Sequence, residues 1–178
     1  MSQSATLYRV SQDSFGQLER SNNKKAFNIP SISKSYTTFQ GSFMALEFIL
    51  SKGQEVSTIE IISEIFNPKQ SMVEQGFEGM TPSEQMEFYA DGGFIHYLDK
   101  SKVSNINHLL EKISESDIHE LYDSKELNDN GIYPDVWHDN NSLDQAFNER
   151  QILEDTTELK NIFKLADKDK DYILVFIG

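Results

Sequence analysis

The chain has 178 residues, 38% of them hydrophobic and 25% charged, enough for one domain that buries roughly 70% of its unfolded surface. Its 29 acidic residues against 16 basic ones give a net charge of −13, a surface that repels phosphate backbones and anionic lipid, so neither nucleic-acid nor membrane binding is expected. It contains no cysteine, which excludes disulfides, thiolate nucleophiles and cysteine-ligated zinc or iron–sulfur sites.

The N-terminus, Met1-Ser2-Gln3-Ser4, shows neither the basic nor the apolar region of a signal peptide, and there is no apolar run long enough to span a bilayer. The expected location is cytoplasmic. Ala5 to Val10 alternates and reads as a first strand, followed by Ser11 as a helix cap and a short helix carrying Phe15 and Leu18. The polar stretch 21–35, with Pro30 inside it, reads as a long surface loop. Phe39, Phe43, Leu46 and Leu50 then fall at helical spacing, with Met44, Ala45, Phe48 and Ile49 widening the apolar surface, so this helix is expected to be a central core element that Gly53 ends.

Ser57 or Thr58 is the expected cap of the next helix, whose stripe is Ile59, Ile62, Ile65 and Phe66. Residues 69–83 read as loop, with a helical turn at 83–89, and Asp91-Gly92-Gly93 as a tight turn into a strand over Phe94 to Leu98. Asp99 or Ser101 caps a helix bearing Val103, Ile106, Leu109, Leu110 and Ile113; shorter helices start at Ser116 and near Ser124. After the Gly131–Asp139 stretch, Asn141-Ser142 is expected to cap a helical region through Leu143, Ala146 and Phe147 that continues to Ala166. Tyr172 to Ile177 is apolar without alternation, which predicts an interior strand covered on both faces. These elements imply an α+β fold in a single domain, residues 1–178. Its small mixed sheet of about three to four strands includes both chain ends and is packed by about six helices.

Taken together, Tyr8-Arg9-Val10-Ser11, the Ser42 to Leu50 helix, the Tyr97-Leu98 step into the Val103 helix, and Tyr133-Pro134-Asp135-Val136-Trp137 resemble, in order, the YfbM-like family, domain of unknown function 1877. The resemblance spans nearly the whole chain and implies the fold, but no reaction. Phe43 stands where the family has Trp, Gln40-Gly41 where it has a preceding Lys, and residues 21–35 and 69–83 look like insertions. An activity resting on that Lys-Ser-Trp step would be altered or lost here.

Gly131 to Asp139 concentrates the unusual residues, including the only tryptophan. Tyr133, Asp135, Trp137, His138 and Asp139 are the candidate ligand- or partner-binding residues. The competing expectation is a structural anchor, with Trp137 buried and Asp135 and Asp139 capping nearby amides. No metal is expected: the four histidines are scattered, Asp167-x-Asp169-x-Asp171 has Tyr172 where a calcium loop needs Gly, and Glu126-x-Asn128-x-Asn130-Gly131 has Trp137 at the position of the bidentate Glu. No cofactor is expected either, since a phosphate-cradling Gly-rich loop is absent, and no Gly-x-Ser-x-Gly elbow offers a nucleophile.

Without a catalytic constellation, enzymatic activity is not the first expectation. That expectation is a non-catalytic interaction protein, of the kind of an immunity protein that neutralises a basic toxin domain, with acidity steering the encounter. The alternative is a small-molecule-binding protein or enzyme with a pocket at the Tyr133–Asp139 loop.

Overall fold

The structure, a computed structural model, describes residues 3–21, 24–73, 77–90 and 94–178. Strand β1 (Ser4–Val10) follows its alternation: Ala5 and Leu7 are fully buried on one face, while Tyr8 and Val10 belong to the other. Ser11 accepts a hydrogen bond from Ser14 N and so caps α1 (Gln12–Arg20), which buries Phe15 and Leu18. A short 3₁₀ turn (Lys24–Ala26) and the one-turn α2 (Ile29–Ile32) lead into β2 (Ser33–Gln40).

β2 corrects the sequence reading twice. Its first residues fall in the stretch expected to be loop, because Ser, Lys and Thr on an edge strand carry little apolar signal. Helical spacing puts Phe39 on the following helix, but it lies in β2 and is fully buried, and Gly41, with φ +73°, separates it from α3 (Phe43–Ser51). The four-residue step from Phe39 to Phe43 matches a helical repeat by coincidence.

Gly53, with φ +68°, stops α3 as expected. Helix α4 (Val56–Ser63) starts before Ser57 and Thr58, with Glu55 at its cap position, so neither of those residues caps it. Ile62, Ile65 and Phe66 are buried, but Ile59 is partly exposed. Within 69–83, expected to be loop, the three-residue β3 (Gln70–Met72) is too short for periodicity to show. Helix α5 (Pro82–Ala90) follows, and the Asp91-Gly92-Gly93 turn lies outside the described residues. Strand β4 (Ile95–Leu98) leads through Asp99, which caps via Lys102 N, into α6 (Lys100–Leu110).

Ser114, two residues earlier than expected, forms a reciprocal capping box with Asp117 at α7 (Glu115–Leu121), and Asp123 caps α8 (Ser124–Asp129). Helix α9 (Glu149–Asp169) starts at Asn148, so the helical region expected from Asn141 through Phe147 is irregular instead. Strand β5 (Tyr172–Ile177) completes a five-stranded sheet in the order β2-β1-β5-β4-β3, with antiparallel pairing throughout rather than mixed.

β5 is thus the central strand. Ile173 and Val175 face the main core, with Leu7, Phe39, Leu46, Ile106, Leu159 and Phe163, while Leu174 faces a smaller cluster with Val10, Phe15 and Leu18. Among the described residues, α3, α4 and α6 to α9 contribute to the main core, while α1, with Ile29 of α2, packs in the smaller cluster on the other face. Each fully buried aliphatic side chain contributes about 2 kcal/mol of apolar transfer, which makes the α9 stripe of Ile152, Leu159, Ile162 and Phe163 a major tie between the helical layer and the sheet.

Candidate protein-binding surface

The loop after α8 is built from short-range geometry. Gly131 adopts φ +62°, its N–H reaching Asn128 O (2.9 Å) and that of Ile132 reaching Leu127 O (3.0 Å), the paired bonds of a Schellman helix end. The Tyr133–Pro134 peptide is cis, and Asp135 follows with φ +61°.

Trp137 is 3% exposed, donates its indole N–H to Ile132 O (3.0 Å), and meets the Phe147 ring edge-on at 5.7 Å. Asn128 clamps the Trp137 backbone from both sides, accepting from its N–H (2.8 Å) and donating to its carbonyl (2.9 Å). Asp135 and Asp139 were expected to cap nearby amides; the Trp137 amide is capped by Asn128 instead. An amide does this better than a carboxylate because it both donates and accepts.

The other candidate residues divide in the same way. Tyr133 is half-buried; its hydroxyl accepts from Gln3 N (3.3 Å). His138 is held by its backbone: its N–H donates to Phe147 O (2.9 Å) and its carbonyl accepts from the Tyr122 hydroxyl (2.7 Å). Asp135 and Asp139 are exposed. The structure therefore brings Tyr133, Trp137 and His138 together as scaffold and leaves the two carboxylates outside.

Residues that sequence reading missed complete the scaffold. Asn148 is fully buried; its amide donates to the carbonyls of Asn140 and Gln145 (2.8 Å each), and its oxygen accepts from Gln151 N (3.1 Å) to cap α9. Phe147 sits at φ +57°, a conformation costly for a bulky side chain, with its ring over Gly41. A Cβ on Gly41 would meet the Phe147 ring at 2.9 Å. The loop is thus seated against the β2–α3 corner, which no local pattern predicts.

What this scaffold presents is charge. Residues 114–158 hold thirteen of the 29 acidic residues and two of the 16 basic ones, so this quarter of the chain carries −11 of the net −13. Burial, followed by the charges of Asp139 and Glu149, holds the Tyr122 phenol well above its usual pKa. Among the acids stand two apolar side chains in the open, Val136 at 49% and Leu143 at 82% exposure. Leu143 was expected on a helix face; the irregular path of 139–148 turns it to solvent.

The two calcium-like runs have internal uses. Asp169 and Asp171 pair with Arg9 and Lys34, Glu126 pairs with Lys52, and Asn128 holds Trp137. Among the described residues no cluster of three histidine or acidic side chains is arranged to hold a metal ion, and no helix is long and apolar enough to cross a membrane.

The sequence matches the family described as domain of unknown function (DUF1877) over residues 1–176. No curated protein matches the chain at a significant level. Among solved structures, a protein of unknown function, YfbM from Escherichia coli, superposes with a TM-score of 0.63 at 15% identity, covering 100% of both chains. At that identity the likeness concerns the fold alone. With the family's sequence pattern running almost from end to end, the chain belongs to the DUF1877 family.

Proposed function

We propose that this protein is a non-catalytic binding protein whose acidic end receives a basic protein surface, in the manner of an immunity protein covering a toxin domain. The observation that supports this reading is the concentration of −11 charges on residues 114–158 around a loop seated on Trp137 and Asn148. A preorganised surface loses little entropy on docking, and clustered like charge steers a cationic partner at rates that fall with salt. Val136 and Leu143 supply exposed apolar contacts inside the acidic field, the arrangement in which a few anchors carry affinity. A small-molecule pocket lined by Tyr133, Asp135, Trp137 and His138 has less support, since the Trp137 ring is enclosed and its N–H is already bonded to Ile132.

The test is affinity capture from the native lysate at low and high salt, with the wild-type chain and with a variant carrying Asp135→Asn, Asp139→Asn and Leu143→Ser. The expected result is one stoichiometric partner of net positive charge that is lost at high salt and lost in the variant. Absence of such a partner, or equal capture by the variant, overturns the proposal.

A further inference from the structure

At the β3 end of the sheet the strands outrun the helical layer. Ser71 lies opposite His96 in register and His96 opposite Val175, so the three side chains share the face that carries the main core. Val175 is buried there, but Ser71 and His96 are exposed, as is Ile177 at 53%, one alternation beyond Val175. The segment leaving α4 walls this ledge. Phe66, 3% exposed, is fixed by the rings of Phe39 and Phe43 at 5.4 and 5.7 Å, and Pro68 is buried close by. Together with Phe94 these residues enclose a cleft of about 510 Å³, the size of a small-molecule site.

Two properties set the cleft apart from the rest of the surface. None of its nine lining residues is charged, in a chain where 25% are. Glu64 and Lys69, which flank the Phe66–Pro68 segment in sequence, pair with each other (3.8 Å), and Glu64 pairs with Lys102 (2.6 Å). The polar groups that do line it are Asn67, Ser71 and His96, and their side chains bond to nothing among the described residues. Apolar walls with a few convergent and unspent hydrogen-bonding groups are what orients a small ligand.

We propose that this cleft binds a small uncharged aromatic molecule with one polar group, of the phenol or indole kind. Its ring lies against Phe66, Val175 and Ile177, and its hydroxyl or N–H donates to the His96 imidazole. Ser71 and the Asn67 amide supply the complementary donors for a ligand oxygen. A charged ligand is disfavoured, because it would lose water here without gaining a counter-charge. The cleft belongs to the β3 end of the sheet, whereas the acidic loop is seated at the β2–α3 corner, so neither site depends on the other.

The probe is p-cresol, titrated into the full chain while side-chain resonances are followed by NMR. Saturable shifts are expected at His96, Val175 and Ile177. On the same chain, 4-methylbenzoate, of similar shape but charged, binds at least about tenfold more weakly. Toluene, which lacks the hydroxyl, binds about threefold more weakly. Ile177→Asp places a charge in the cleft and weakens p-cresol about tenfold. Val56→Asp, on the exposed start of α4, changes the net charge equally and leaves binding unaltered. The proposal is overturned if those residues show no saturable shift or if 4-methylbenzoate binds as well as p-cresol. It is equally overturned if Val56→Asp weakens binding as much as Ile177→Asp.

Discussion

At the junction of α9 and β5, every carboxylate meets a cation. The Asp171 side chain, 2% exposed, lies 3.1 Å from Arg9 Nε and 2.9 Å from Lys34 Nζ, and Asp169 lies 3.2 Å from Arg9. The Nε–H points off line, so that contact is an electrostatic one and not a directed hydrogen bond. At the other end, the thirteen acids of 114–158 share the stretch with only Lys125 and Arg150. The first cluster joins β1, β2 and the end of α9 in one clamp; in the second, Glu126 meets Lys52 of α3 and Glu149 meets His119, but acids such as Asp135 and Asp139 stand exposed. Identical side chains serve cohesion in one place and, in the proposed function, encounter in the other. What separates them is burial, since a buried charge without a partner costs several kcal/mol while an exposed one costs little.

The comparison can be broken at several points. Trp137→Ala empties the anchor that holds the acidic loop, and is expected to lower stability by about 4 kcal/mol. Thermal unfolding reads this directly; an unchanged midpoint would remove the anchor role. Asp171→Asn strips the buried Arg9 of its closest anion, an expected loss of about 3 kcal/mol in urea unfolding, at the low end for a broken buried pair because Lys34 and Asp169 are partly exposed. A similar loss from the exposed Asp135→Asn would erase the distinction between the two clusters.

A third position lies between the extremes. Asp155, on α9, is mostly buried with its Oδ2 lacking a partner; burial pushes its pKa up to about 6, reinforced by Glu154 and Glu158 and opposed by the Ser42 and Gln151 side chains. The unfolded chain ionises this group near pH 4, so between roughly pH 4 and 6 the native state holds the extra proton. Stability contributed at this site is therefore present at low pH and lost as pH rises through 6. Relative to wild type, Asp155→Asn should gain about 2 kcal/mol across that window and nothing below it, as followed by urea unfolding at pH 3.5, 5 and 7. A flat difference would mean the carboxyl is solvated.

Gly41→Ala places a Cβ at positive φ and 2.9 Å from the Phe147 ring, with an expected cost of about 2 kcal/mol if the ring can yield. The smallest effect belongs to the exposed end: Asp135→Asn with Asp139→Asn should leave stability within about 0.5 kcal/mol while flattening the salt dependence of partner association, measured by stopped-flow.

Several parts of this architecture were legible from local pattern. Ser11 and Asp99 cap helices because a cap acts on an amide three residues away, and β1, β5 and the α6 and α9 stripes follow from spacing. Phe39 was misread because one four-residue interval suits a helix as well as a strand followed by a turn. Helix was expected at 141–147, where Asn148, bonded to the carbonyls of Asn140, Ser142 and Gln145, holds the chain irregular. Among the candidate residues, the sequence left Trp137 open as a binding residue or a buried anchor, and its 3% exposure fits the anchor. Asn128 and Asn148 were not legible, since an asparagine in a polar stretch carries no mark of the backbone it will clamp.

By itself the sequence determined the strands at its two ends, the apolar helix faces and the excess of acid, because each depends on residue type and on neighbours within about four positions. Only the tertiary structure decided which acids are neutralised. Arg9 reaches Asp169 across 160 positions and Lys34 reaches Asp171 across 137, distances at which no pattern along the chain specifies a contact. Packing against the sheet drew those charges inward, and the same packing, by seating Trp137 and Phe147 against the Gly41 corner, left Asp135, Asp139 and Leu143 facing water.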